Sequence, residues 1–115
     1  MILVLALVEL LLSVVFIVMA VLSRLERLPR NQWFGYRLPL LLEDDDAWRA
    51  GHRAAWIPTL LCAVALIVGA IGTIVERREE AIPWWSLGGC LALGVLAIIG
   101  SACALVGANR AVGRR

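Results

Sequence analysis

The sequence predicts an all-α membrane protein: a three-transmembrane-helix bundle with a structured, partly helical amphipathic loop between helices 1 and 2. Composition is the first observation behind this. Hydrophobic residues make up 62% of the 115-residue chain and charged residues 17%, against roughly 45–50% and 25% in soluble domains. The second is length: residues 1–22, 54–75 and 84–108 are apolar runs, each able to supply the ~20 helical residues that cross a hydrocarbon layer. The third is that the remaining charges collect between and after these runs, chiefly in residues 23–53. A chain this short forms a single domain.

The first span contains one charge, Glu9. Its sixteen Leu, Ile, Val and Phe residues favour insertion by about 0.3–0.6 kcal/mol each, against about 3 for a central carboxylate, so the helix tolerates the acid. An ionisable group at this depth is a functional candidate. The competing readings are a carboxyl reaching toward water and one held protonated against Ser13. The less apolar edge of the span, Ala6, Glu9, Ser13 and Ala20, is expected to face inward. Val18-Met19-Ala20 resembles a signal-peptidase site, but no basic segment precedes it and Arg24, Arg27 and Arg30 follow. A retained helix is therefore expected.

Gly35 among aromatic residues, followed by Pro39, reads as a turn with close backbone approach. The run Glu43-Asp44-Asp45-Asp46 then reads as a helix start, with Asp44 or Asp45 as N-cap and carboxylates in the first turn. Beyond it Trp48, His52 and Trp56 form a stripe at i, i+4 and i+8, and Asp45, Arg49 and Arg53 form a charged ladder beside it. This segment is expected to be an interfacial helix continuous with, or hinged to, the second span. Arg37 is a five-donor fork suited to a carboxylate or phosphate. Its simplest partner is Asp45 or Asp46, with a lipid headgroup next.

On the third span Ala97, Gly100, Ser101, Ala104 and Gly107 form a small-residue face, and on the second Cys62, Ala65, Gly69 and Thr73 form another. Such faces let helices approach closely, either packing these two spans together or supporting a homo-oligomer. Cys62, Cys90 and Cys103 lie inside apolar runs without ligand spacing and read as packing residues. All 11 basic residues are Arg. Arg24, Arg27, Arg30, Arg37, Arg49, Arg53, Arg110, Arg114 and Arg115 fall on one side of the expected topology, and only Arg77 and Arg78 on the other. The bias places the N-terminus outside and the loop and C-terminus in the cytoplasm of a plasma-membrane protein. Trp33, Trp56, Trp84 and Trp85 sit near span ends, as interfacial anchors do.

Asn31, Gly35, Arg37, Pro39, Leu42, Asp45, Trp48, His52 and Arg53 stand in an order that resembles the SdpI family of bacterial membrane proteins. Its namesake is an immunity protein against a secreted toxin peptide. The resemblance extends over the loop and its flanking helices, nearly the whole chain. Two departures fall in the turn: Leu38 stands where Thr is usual, and Glu43-Asp44 where a small polar pair such as Ser-Ser is usual. The resemblance implies an immunity or binding protein acting against a membrane-active peptide, with a cytoplasmic protein as a further possible partner. The alternative is a structural or accessory subunit of a transporter-like assembly.

Other classes find little support. Arginines interleaved with aromatics along a phosphate-tracking run are missing, so nucleic acid is not an expected partner. His52 has no second His or Cys nearby, and the acidic run lacks calcium-loop spacing, so no metal or other cofactor is expected. No nucleophile–base pair or phosphate loop appears, and the chain is not expected to be an enzyme, although His52 with the acidic run is the one combination a catalytic reading would use. Arg37 and Trp48 are expected to sit in a packed turn and to matter more than Arg114 or Arg115 in the tail.

Overall fold

The computed structural model describes residues 2–29, 35–76 and 84–113. Asn31, Trp33, Arg77 and Arg78, and the tail arginines Arg114 and Arg115, lie outside them. In chain order the elements are α1 (Ile2–Arg24), α2 (Pro39–Glu43), α3 (Asp45–Ala54), α4 (Trp56–Glu76) and α5 (Trp84–Gly113). Helices α1, α4 and α5 are the three membrane spans, each long and apolar enough to cross. Lipid offers the backbone no hydrogen-bond partner, so spans this apolar satisfy their own amides as helices.

Helix α4 is the centre of the bundle. It packs lengthwise against both α1 and α5, whereas α1 and α5 scarcely touch. The inward edge of α1 is the expected one, with Ala6, Glu9, Ser13 and Ala20 all buried, while Leu3, Leu7, Leu11, Val14 and Val18 face outward. The α4 stripe is also as expected, with Cys62, Gly69 and Thr73 buried. Of the three cysteines Cys62 is buried and Cys103 half-buried, but Cys90 is exposed.

Helix α1 stops without a glycine. Arg27 N–H donates to the Leu22 carbonyl at 2.8 Å and Glu26 N–H to the Ser23 carbonyl at 3.2 Å, the paired bonds of a Schellman closure. Glu26 occupies the left-handed position with φ 58°, where Gly is usual. The closure turns the chain back toward the bundle.

The break between α3 and α4 is at Ala55 (φ −101°, ψ 7°). Pro58 accounts for it, because a proline has no N–H for the Ala54 carbonyl and its ring crowds that carbonyl. Ala55 N–H still bonds the Gly51 and His52 carbonyls, and Thr59 N–H the Ala55 carbonyl. The two helices are hinged rather than separated.

Helix α5 runs past the expected end at 108 to Gly113. Its 30 residues give about 45 Å at 1.5 Å per residue, against about 30 Å of hydrocarbon. Its final turns therefore extend past the membrane core, and α3 packs against them. Ala104 and Gly107 of the α5 small-residue face serve this contact. A Cβ on Gly107 would lie 2.8 Å from the Ala50 carbonyl oxygen, and one on Gly51 2.8 Å from the Ala104 carbonyl oxygen. The cluster of large buried apolar side chains is here too: Leu28, Leu41 and Trp48 close over Ala47, Ala55, Ala104 and Ala108.

Candidate functional site

The residues 35–53 form a built site whose parts arrive from three directions. Asp44 is the N-cap of α3. Its Oδ1 accepts the Asp46 N–H at 2.8 Å and the Ala47 N–H at 3.3 Å, so the acidic run is a helix start, as its composition indicates. Asp is as good a cap as Ser, which makes the departure at this position chemically conservative. The departure at Leu38 is not. Leu38 is the N-cap of α2 and provides no side-chain bond, where the Thr usual in the resembled pattern has a hydroxyl to give. Pro39 is the first residue of α2, where its fixed φ suits a helix entry. The turn read at Pro39 is thus the start of a short helix.

Trp48 and His52, one helical turn apart on α3, are each 1% exposed. Their rings stack with centroids 4.1 Å apart. The Trp48 indole N–H donates to the Leu28 carbonyl at 2.9 Å and so holds the segment after α1. His52 Nδ1 lies 2.8 Å from the Trp48 carbonyl, and its Nε2 accepts the Tyr36 N–H at 2.8 Å. A carbonyl can only accept and an amide N–H can only donate. The ring is therefore neutral, with its hydrogen on Nδ1. Two side chains thus fasten two separate loop segments to one helix.

Burial lowers the His52 pKa below its ordinary 6.5, with the bond to Trp48 opposing that shift. Protonating Nε2 would also set two donors against each other. The unfolded chain then binds a proton near pH 6.5 that the folded chain resists, so stability is full above that value. It falls as pH drops through 6.5 toward the folded pKa. Titrating the ring by NMR is unambiguous, because the chain has 1 His. A ring titrating at or above 6.5 in the folded protein would refute the arrangement.

Tyr36 is the residue the motif reading missed. Its hydroxyl lies 2.9 Å from Thr59 Oγ1. Thr59 spends its hydrogen on the Ala55 carbonyl at 2.7 Å, so Tyr36 donates to Thr59. The phenol lies against Gly100, where any Cβ would collide with it. The loop therefore folds into the bundle rather than lying flat on lipid. No periodicity marks Tyr36, Thr59 or Leu28, because they meet only when the loop closes over α4 and α5.

The other expected residues lie on the rim. Arg37 is exposed rather than packed, Asp45 is exposed in the first turn of α3, and Arg53 is exposed. Two ion pairs involve the arginines of the ladder. Asp46 bonds Arg49 at 2.7 Å, and Arg53 approaches Glu26 at 3.7 Å. Both pairs are solvated, where such contacts contribute little. Trp56, half-buried, carries the Arg24 guanidinium 4.9 Å above its ring, a cation–π contact at the interface.

Because α1 and α5 do not close on each other, a groove of about 400 Å³ remains beside the loop, lined by Phe16, Met19, Tyr36, Arg37, Leu38 and Ala97 among others. Its lining is mostly apolar and includes Arg37.

Fold and site together define a small three-span membrane protein whose first connecting loop is built into the bundle by a tryptophan, a histidine and a tyrosine. The model of the SdpI/YfhL protein family matches residues 27–107, and the chain belongs to that family. The matched segment begins at the α1 closure and takes in the whole loop, α4 and most of α5. No curated relative and no solved structure matches the chain.

Proposed function

We propose that this SdpI-type protein is a binding protein of the immunity kind, protecting the membrane against a membrane-active peptide. The observation that supports the reading is the groove between α1 and α5. Its lining is mostly apolar, from Phe16, Met19, Leu38 and Ala97, with the polar groups of Tyr36 and Ser101 beside them. The mixed lining matches an amphipathic peptide. In this reading the loop and C-terminus face the cytoplasm of the plasma membrane, as the arginine bias indicates, and the protein does no chemistry on its ligand.

The test is survival. Cells carrying the protein should outlive cells without it when challenged with membrane-active peptides. Met19→Trp, which fills the groove, should remove that protection while the protein still accumulates. Equal survival of both strains against every peptide tried would sink the proposal.

A second reading, an accessory subunit of a larger membrane assembly, has one observation in its favour. Gly88 and Gly94 on α5 have open space where a side chain would be, and small residues on an outer face suit a partner helix or a second copy. Crosslinking in membranes that recovers a stable hetero-partner, without any protection phenotype, would favour it.

A further inference from the structure

Glu9 belongs neither to the loop site nor to the matched residues 27–107. Its surroundings differ from both sequence expectations. The side chain is 2% exposed, so it does not reach water, and Ser13 donates instead to the Leu10 carbonyl of its own helix at 2.6 Å. Glu9 crosses to α5, where its Oε2 lies 3.1 Å from Ser86 Oγ. Ser86 Oγ lies 2.7 Å from Thr73 Oγ1 on α4, and Thr73 Oγ1 lies 2.8 Å from the Gly69 carbonyl.

These three contacts need three hydrogens. The Gly69 carbonyl only accepts, so the Thr73 hydroxyl hydrogen is spent there. Thr73 must then accept from Ser86, whose single hydrogen is spent in turn. Toward Glu9, Ser86 has only a lone pair left, and the hydrogen of that contact has to come from the carboxyl. An ionised Glu9 would leave two hydrogens for three contacts. It would also bury a charge whose second oxygen, Oε1, has no partner among the described residues, an arrangement that is strongly disfavoured. In the neutral acid Oε1 is only a carbonyl oxygen.

We propose that Glu9 is a proton-binding site: in the closed bundle it holds a hydrogen and donates it to Ser86, latching the ends of α1, α4 and α5 that lie far from the loop. The latch matters because α1 and α5 otherwise scarcely touch. No charged neighbour acts on Glu9 from α4 or α5 among the described residues, so an ionised form would have no counter-charge there. Losing the proton would remove one link of the chain and free α1 from α5, which ties helix position to protonation.

Infrared spectroscopy of the protein in lipid vesicles at neutral pH reads the state directly. The wild-type spectrum should contain the carbonyl stretch of a neutral carboxylic acid, sensitive to deuterium exchange, and Glu9→Gln should lack it. Glu9→Gln retains a donor for Ser86 and should melt close to wild type. Glu9→Ala should melt lower by on the order of 5 °C. A wild-type spectrum without that band would overturn the proposal, as would Glu9→Gln melting as low as Glu9→Ala.

Discussion

Trp48→Ala is expected to remove most of the folded protein from the membrane. The side chain is 1% exposed, and truncating a buried Trp costs about 3–5 kcal/mol. The Leu28 carbonyl would also lose its partner, worth about 1–3 kcal/mol if it stays buried. Together these approach the whole ~5–15 kcal/mol that holds a typical domain together. Trp48→Phe separates the contributions, since it keeps an aromatic ring on His52 but has no N–H for Leu28. It should fall between wild type and Trp48→Ala. Size-exclusion profiles of the detergent-solubilised protein would show this. Arg37→Ala, by contrast, alters an exposed rim residue and should leave a normal profile, as should changes at Arg114 and Arg115. Wild-type levels of monodisperse Trp48→Ala would mean that the loop is not packed as described.

The second large effect is expected at Gly35, for two independent reasons. Its φ is +100°, which L side chains rarely adopt. A Cβ built there would also collide with His52 Nε2 and stand 3.2 Å from the Trp48 ring. Gly35→Ala meets both obstacles, and Gly35→Val adds a branched side chain for which a positive φ is a marked outlier. Valine should therefore abolish accumulation where alanine only reduces it. In surviving Gly35→Ala protein the Tyr36–His52 bond should be broken, and the single histidine should titrate closer to its ordinary 6.5. A Gly35→Val protein with wild-type yield and an unaltered histidine titration would rule out this close approach.

Much of the architecture was legible because lipid simplifies the code. Long apolar runs have one backbone solution there, and each of the three helices appears over its run, with α5 continuing beyond it to Gly113. The α1 edge Ala6, Glu9, Ser13 and Ala20 was legible for a related reason: the less apolar stripe of a span avoids lipid. In the loop, Asp44 as a cap and the Trp48–His52 stripe follow from local rules of helix starts and helical spacing, and those rules operate within a few residues. The α1 closure at Glu26 was not legible, since it places a residue other than glycine in the left-handed position. Nor were the partners of the α5 small face, because Gly and Ala permit close approach without specifying what approaches.

Three apolar spans and an ordered, helix-forming loop follow from the residues alone, because hydrophobic length and helix capping act locally along the chain. The packed fold was needed to bring the loop into the bundle through Tyr36, to join His52 and Trp48 to it, and to set Glu9 against Ser86 and not Ser13. Those pairings link residues 16, 20 and 77 positions apart or rest on such links. A hydrogen-bonding side chain carries no record of a distant partner until packing excludes water and lipid from both.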